Sequence, residues 1–350
     1  MRTVFLTALS LFVLVLCVHV PCQACTSFCL ETEDGPVYGT NLDLHIGEGL
    51  VFVNRSGVAK QGYLPSASGQ VAAWTSRYGS ISFNLAGREF AWCGINEAGL
   101  VVSTMWLEHS VLPPPDERPP LNSGFWVQYQ LDNCATVQEV MQTDSLVRLT
   151  QDACHFMVCD QSGNCASIEF LEGRMVFHTG DSMPVKVLTN IPYAEALSHM
   201  DQDTIPQNDP GDSIRRFVDA AASVRSFAQP CSVSAADHAM DTLVETVVAA
   251  HTKWNIVFDI PRREVYFRTT ATPLRKQVSL GGFDVSCEAP LLMLDVDAKL
   301  EGDVAESFKP YEHDVNLSLF RSFCERWGIQ LGEEEAVQFM QFLESFQCAP

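Results

Sequence analysis

Positive charge is scarce in this chain: 22 Lys and Arg stand against 43 Asp and Glu, a net charge of -21. That excess of acid argues against nucleic acid and anionic membrane surfaces as partners. It is silent about small neutral or amphipathic ligands. Phosphate-cradling patterns are absent too, with no GxGxxG and no P-loop spacing. None of the nine His sits in HExxH or another motif, so no His-based triad is indicated and no metal or organic cofactor is expected. Cys154, Cys159 and Cys165 cluster without the CxxC pairs of a zinc site, which leaves disulfides or buried thiols, pairing undetermined. Beyond Val20 no apolar run is long enough to span a bilayer, and no internal repeat is visible.

What is present begins with a leader. A basic start (Arg2), an apolar run from Val4 to Val20 and the small-residue site Cys22-Gln23-Ala24 read as a secretory signal peptide over residues 1–24. The expected mature chain is exported, periplasmic or extracellular, and starts at Cys25. Of 13 Cys, Cys17 and Cys22 would leave with the leader. The odd remainder suggests that one thiol stays free in an oxidising compartment. The 47% hydrophobic and 19% charged composition is that of a globular chain.

Residues 25–350 read as one domain with an acidic helical extension from about residue 303. Short strands and turns fill the first part: Thr26 to Glu31, Val37 to Leu44 and Leu50 to Asn54. Tyr78 to Leu85 alternates as a half-buried strand should. Phe90–Ile95 and Leu100–Leu107 frame a hairpin. A Pro-rich loop from Leu112 to Pro120 precedes a helix over Phe125–Asp132, and Thr136 to Glu139 opens another as a capping box. Strands return at His155–Asp160, Ala166–Phe170, Met175–His178 and Val185–Thr189. Helices follow over Asp212 to about Ser226, with Asp212 as N-cap, and Ser234 to about Ala250. Trp254–Asp259 and Glu264–Thr269 form a hairpin, and an amphipathic helix covers Glu333 to Phe346. Strands in runs, then helices in a pair, give the α+β class.

Cleavage after Ala24 would put a thiol and a free α-amine on one residue. A thiol works as a nucleophile only when something takes its proton. Model thiols titrate near ~8.5 and α-amines near ~8, so transfer between them costs little. An N-terminal Cys can therefore act without a His. Cys25 could instead carry a lipid, although Cys22-Gln23-Ala24 lacks the Leu of a lipobox, or be half of a disulfide.

Cys25-Thr26-Ser27 followed by Tyr38-Gly39-Thr40-Asn41-Leu42-Asp43 resembles the start of the choloylglycine hydrolase and penicillin V acylase family, amidases with an N-terminal nucleophile. Gly94-Ile95-Asn96-Glu97-Ala98-Gly99-Leu100 is similar to the family's hairpin turn. Leu188-Thr189-Asn190-Ile191-Pro192 looks like its L-T-N-x-P, and Ser213 to Val218 resembles its S-x-x-R-F segment. The resemblance implies a four-layer αββα sandwich. It implies Cys25 as nucleophile, Asp43 holding the α-amine, Asn190 as oxyanion donor and Arg216 ordering the site. Trp106 falls where the family lines the substrate site. Two positions depart from the pattern. Thr40 stands where the family has Arg, and Leu44 where it has Trp, both beside the expected substrate site.

The reading is hydrolysis of a linear amide of a small molecule through an acyl-enzyme. Its rivals are an exported binding protein that kept the fold and lost catalysis, an acid ceramidase-like amidase, and a lipoprotein. Acyl and amine groups stay open, as does assembly into homo-oligomers.

Overall fold

The computed structural model describes residues 24–207, 209, 212–227 and 233–350. Of the expected leader over residues 1–24, residues 1–23 lie outside them. The first strands are β1 (Thr26–Leu30), β2 (Val37–Asp43) and β3 (Leu50–Asn54), then β4 (Ser80–Asn84), β5 (Ala91–Asn96) and β6 (Val101–Trp106). Helices α1 (Ser123–Asn133) and α2 (Val137–Gln142) lead to β7 (Cys154–Cys159), β8 (Cys165–Leu171), β9 (Arg174–Thr179) and the short β10 (Val187–Leu188). Helices α3 (Tyr193–Asp201), α4 (Ser213–Ser226) and α5 (Ala235–Asp241) come next. Strands β11 (Thr252–Asp259), β12 (Glu264–Thr269), β13 (Lys276–Ser279) and β14 (Leu292–Asp295) follow, before α6 (His313–Arg326) and α7 (Glu333–Glu344).

Two sheets result. One has seven strands, ordered β10-β1-β2-β11-β12-β13 with Gly302–Asp303 at its edge. The other has nine, ordered β9-β8-β7-β6-β5-β4-β3-β14 and ending in Lys309–Pro310. They pack face to face, as a chain of hydroxyls shows: Thr40 Oγ1 to Ser27 Oγ (2.8 Å), Ser27 Oγ to Ser103 Oγ (3.0 Å), and Ser103 Oγ to Tyr38 Oη (2.5 Å). Helices α4 and α5 cover the outer face of the first sheet, and α1 that of the second. This is the four-layer α+β sandwich. One core holds Phe28, Tyr38, Phe83, Trp254 and Phe258. A second holds Phe125, Trp126, Phe156 and Phe320 outside the nine-stranded sheet. Burying each such ring contributes about 1.5–3 kcal/mol.

Several elements depart from expectation. Strand β4 is buried on both faces, because its outer face lies under α1 as its inner face meets the first core. Asp212 does not cap α4: it sits at φ 52° with no capping bond, and the Asp209 carboxylate accepts from Ile214 N and Arg215 N instead. Ser234 does cap α5, but that helix stops at Asp241 and passes into a π turn over Thr242–Thr246. A run rich in β-branched residues (Thr242, Val244, Thr246) has weak helical preference. The wide turn presents Leu243 O and Val247 O to Asn41 Nδ2. Thr136 caps α2, accepting from Glu139 N while Glu139 reaches back to Ala135 N.

The C-terminal part is integral rather than appended. Besides the expected amphipathic α7 there is α6, and Phe320, Cys324, Met340 and Leu343 of this pair enter the second core. Disulfides Cys159–Cys165 and Cys287–Cys348 tie β7 to β8 and the chain end to the loop before β14. The parity argument for a single free thiol fails. Among the described residues Cys25, Cys29, Cys93, Cys134, Cys154 and Cys324 are all free and buried, and those other than Cys25 pack as small apolar side chains.

Candidate active site

Register brings the site together. Thr26 of β1 pairs with Asn41 of β2, so Cys25 lies at the end of the ladder beside Asp43. Thr252 of β11 pairs with Asp43 from the other side. Cys25 is fully buried, and the Asp43 backbone N–H points at its Sγ from 3.5 Å. Asn190 follows β10, the strand that pairs with β1. Arg216 comes from the first turn of α4.

The guanidinium of Arg216 ties these segments. Nη1 donates to Cys25 O (2.6 Å) and to Thr26 Oγ1; Nη2 donates to Asn190 Oδ1 (3.1 Å) and Ser213 Oγ (3.2 Å). Asn190 Nδ2 donates in turn to Trp106 O at 2.8 Å. A planar five-donor fork suits such multiple anchoring. The structure thus gathers Cys25, Asp43, Asn190 and Arg216 at one place. Thr26 and Ser213, which complete the Arg216 fork, stand in the motifs quoted from the sequence but were given no role there.

Electrostatics disfavour the Cys25 thiolate in the full 350-residue chain. Burial, then the Asp43 charge, push the Cys25 thiol up to about 12, against the lowering influence of Asp43 N–H, Arg216 and the Trp106 backbone. Burial raises the Asp43 carboxyl to about 7, offset in part by Arg216 and by the Thr252 hydroxyl. Both Asp43 oxygens are buried and neither makes a hydrogen bond of good geometry. Carboxylates buried this way are costly unless something compensates them. Ala24, itself buried, fixes the chain just upstream by donating its N–H to Asp43 O at 3.3 Å.

A cavity of about 130 Å³ is lined by Trp106, whose carbonyl accepts from Asn190, but by none of Cys25, Asp43, Asn190 and Arg216. Of the three residues expected at the substrate site, only Trp106 lines it. Leu44 is fully buried in the first core and Thr40 faces the hydroxyl chain between the sheets. Trp92 lines the cavity too, as do Thr104 and residues of α6. Among the described residues the His, Cys, Asp or Glu trio close enough to share an ion is Cys29, Cys159 and Cys165, and two of those sulfurs are bonded to each other.

The family model for linear amide C-N hydrolases, choloylglycine hydrolase family, matches residues 25–220. Penicillin V acylase of Pectobacterium atrosepticum is 34% identical over 137 residues, which is 34% of this chain and 36% of that protein. The aligned stretch thus spans about a third of that relative. Among solved structures, penicillin V acylase from Agrobacterium tumefaciens superposes with a TM-score of 0.70 at 24% identity, over 82% of this chain and 98% of that one. A variant of conjugated bile acid hydrolase from Clostridium perfringens gives a TM-score of 0.59 at 14% identity, over 77% of this chain and 96% of that one. Both superpositions bear on the fold.

Proposed function

The chain belongs to the choloylglycine hydrolase family of linear amide C-N hydrolases, and we propose that it hydrolyses such amides with Cys25 as an N-terminal nucleophile. One observation carries the reading: beside the Cys25 thiol lies a buried carboxyl, Asp43, without a hydrogen-bond partner. Cleavage before Cys25 creates an α-amine there. That cation satisfies Asp43, and the amine form supplies the proton acceptor that the thiol lacks.

In the proposed cycle the α-amine takes the Cys25 proton, and the thiolate attacks the amide carbonyl carbon. The second N–H of Asn190 Nδ2 and a backbone N–H stabilise the oxyanion, a contribution worth roughly 10²–10³ in rate. Collapse breaks the C–N bond, and the α-ammonium returns its proton to the departing amine. Water, deprotonated by the same amine, cleaves the thioester and releases the acid. Arg216 holds Cys25 O and Asn190 Oδ1 in one frame, so nucleophile and oxyanion donor keep a fixed relation.

Removal of residues 1–24 as an export leader would supply that terminus. Ala24 and Cys25 are both buried, so the cut comes before the fold closes. Two disulfides support an oxidising, periplasmic or extracellular address. The acyl and amine groups of the substrate lie within the linear amides of the family.

The test is N-terminal sequencing of protein from an exporting host, followed by mass spectrometry after brief exposure to a panel of linear amides. A terminus at Cys25 and a transient acyl mass on that residue are expected. A terminus upstream of Cys25, or a Cys25 that never acylates, rejects the mechanism and leaves the binding-protein reading.

A further inference from the structure

Asn190, the oxyanion donor of the proposed cycle, sits in a loop strung between the two sheets. Before it, β10 pairs with β1 of the seven-stranded sheet, Leu188 opposite Ser27. After it, α3 begins at Tyr193 behind Pro192, which offers no side-chain cap. The first amides of α3 therefore need acceptors from outside the helix. Glu169 supplies one: its Oε1 accepts from Tyr193 N at 2.9 Å, across 24 residues of sequence. Asn190 itself grips the same nine-stranded sheet, since its Nδ2 donates to Trp106 O of β6 at 2.8 Å. The loop is thus held to that sheet at two points, by β6 at Asn190 and by β8 at Tyr193.

Glu169 is fully buried, on the face of β8 that Cys165 turns into the core between the sheets. Two imidazoles flank its carboxyl. His155 Nδ1 of β7 lies 3.3 Å from Oε1, and His178 Nδ1 of β9 lies 3.7 Å from Oε2 and 3.2 Å from Ser167 Oγ. This surround is incomplete, because Glu169 Oε2 and His155 Nε2 are buried without hydrogen-bond partners. The ladder of β8 runs on backbone bonds and does not call for a carboxyl at position 169. A polar group buried at such cost is best explained by the short bond it makes, to Tyr193 N. Tyr193 is buried as well, its ring against His178 (centroids 5.0 Å apart) and its hydroxyl donating to Val185 O at 2.9 Å. Without Glu169 no water is at hand to take over the amide, and a buried donor left unpaired drives its segment to shift.

We propose that Glu169 is a positioning residue for the oxyanion site: it fixes the first amide of α3, and through it the loop carrying Asn190, against the nine-stranded sheet. The proposal rests on the amidase reading given above. The reach of the acceptor oxygen does this, not its charge. When the hold is lost, Asn190 Nδ2 leaves the line on which the oxyanion forms, and a misplacement of about 1 Å costs on the order of 10² in rate. Binding of the ground-state amide makes little use of that contact and is left as it was.

Two substitutions in processed protein separate reach from charge. Glu169→Gln leaves an acceptor oxygen in place and removes the charge; Glu169→Asp keeps the charge and withdraws the oxygen by one methylene. Steady-state kinetics use phenylacetyl, decanoyl and cholanoyl 4-nitroanilides, and thermal melts verify folding. Glu169→Met, apolar and of equal length, replaces the Asp variant if that one does not fold, with the same expectations. The Asp variant should lower kcat about 10- to 100-fold with KM within about threefold, while the Gln variant stays within about threefold in both. Added to Asn190→Ala, the Asp substitution should cost less than about threefold more, because two changes acting through one contact do not add. An Asp effect undiminished in that background, a Gln loss equal to the Asp loss, or an Asp variant with wild-type kcat would overturn the proposal. Hydrogen exchange over residues 187–196 reads the tether without turnover: faster in the Asp variant, unchanged in the Gln variant. That pattern in a protein that hydrolyses none of the amides would reject the amidase reading and keep the tether. Equal exchange in all three proteins would overturn the tether and leave the amidase reading standing.

Discussion

Two buried carboxylates, Asp43 and Asp132, differ in how their charge and hydrogen bonds are met. On α1, Asp132 accepts from Gln128 Nε2 (2.8 Å), Trp74 Nε1 (2.7 Å) and Lys60 Nζ (3.0 Å). Lys60 also meets Glu89 at 2.9 Å, and Arg88 adds a second cation to Glu89 at 3.4 Å. Burial pulls Lys60 down, but Asp132 and Glu89 outweigh it and hold it above its ordinary value. Charge and hydrogen bonds balance within this cluster. Asp43 has neither balance: its oxygens are unpaired and its one nearby cation, Arg216, spends its donors elsewhere. A satisfied network fixes a structure, whereas an unsatisfied one awaits a partner.

Crossed substitutions test that contrast. Cys25→Ala is expected to lower turnover by at least about 10⁴-fold with an unchanged melting curve. Lys60→Met should do the reverse, costing about 3–5 kcal/mol because Asp132 is left buried without its cation and Glu89 keeps Arg88 alone; chemical denaturation measures it, and activity per folded molecule should stay within about threefold. If Lys60→Met abolished turnover in folded protein, the division between the regions would be lost. Third comes pH. In the full 350-residue chain the Asp43 carboxyl is raised from 3.8 to about 7. The folded state therefore binds the proton more tightly than the unfolded state. Stability is complete below about pH 4 and falls by about 4 kcal/mol as pH rises to about 7. Asp43→Asn should remove that slope, and so should starting the chain at Cys25, where the amine neutralises the carboxylate. A slope equal in both chains would sever Asp43 from the new terminus. Asn190→Ala should cost about 10²–10³ in kcat, little in stability, read by steady-state kinetics and melts.

The sequence held more of the site than of its surroundings. Cys25, Asp43, Asn190 and Arg216 stand in short motifs whose order survives in the chain, so residues 191 positions apart could be grouped before their contact was seen. The cavity left no such trace. Its wall in α6 is an aromatic face at helical spacing, indistinguishable in sequence from any core-facing helix. The π turn after α5 is likewise a tertiary product, fitted to Asn41. Thiol parity misled because it counts bonds, whereas packing hides six thiols without bonding them.

Thr40 sharpens the same comparison at small scale. It sits three residues before Asp43, in the motif where the family carries a cation, and proximity in sequence suggested a share in substrate binding. Thr40 points with Tyr38 into the space between the sheets, on the face that Ser27 and Cys25 share, where its Oγ1 meets Ser27 Oγ at 2.8 Å. The cation near the nucleophile is Arg216, from a helix far along the chain. Thr40→Val keeps the volume and deletes one hydroxyl, leaving Ser27 its bond to Ser103. The expected loss is about 1 kcal/mol of stability, with kcat/KM held within about threefold. Parallel denaturation and kinetics separate the two outcomes. A tenfold fall in kcat/KM at unchanged stability would move Thr40 from the fold to the site.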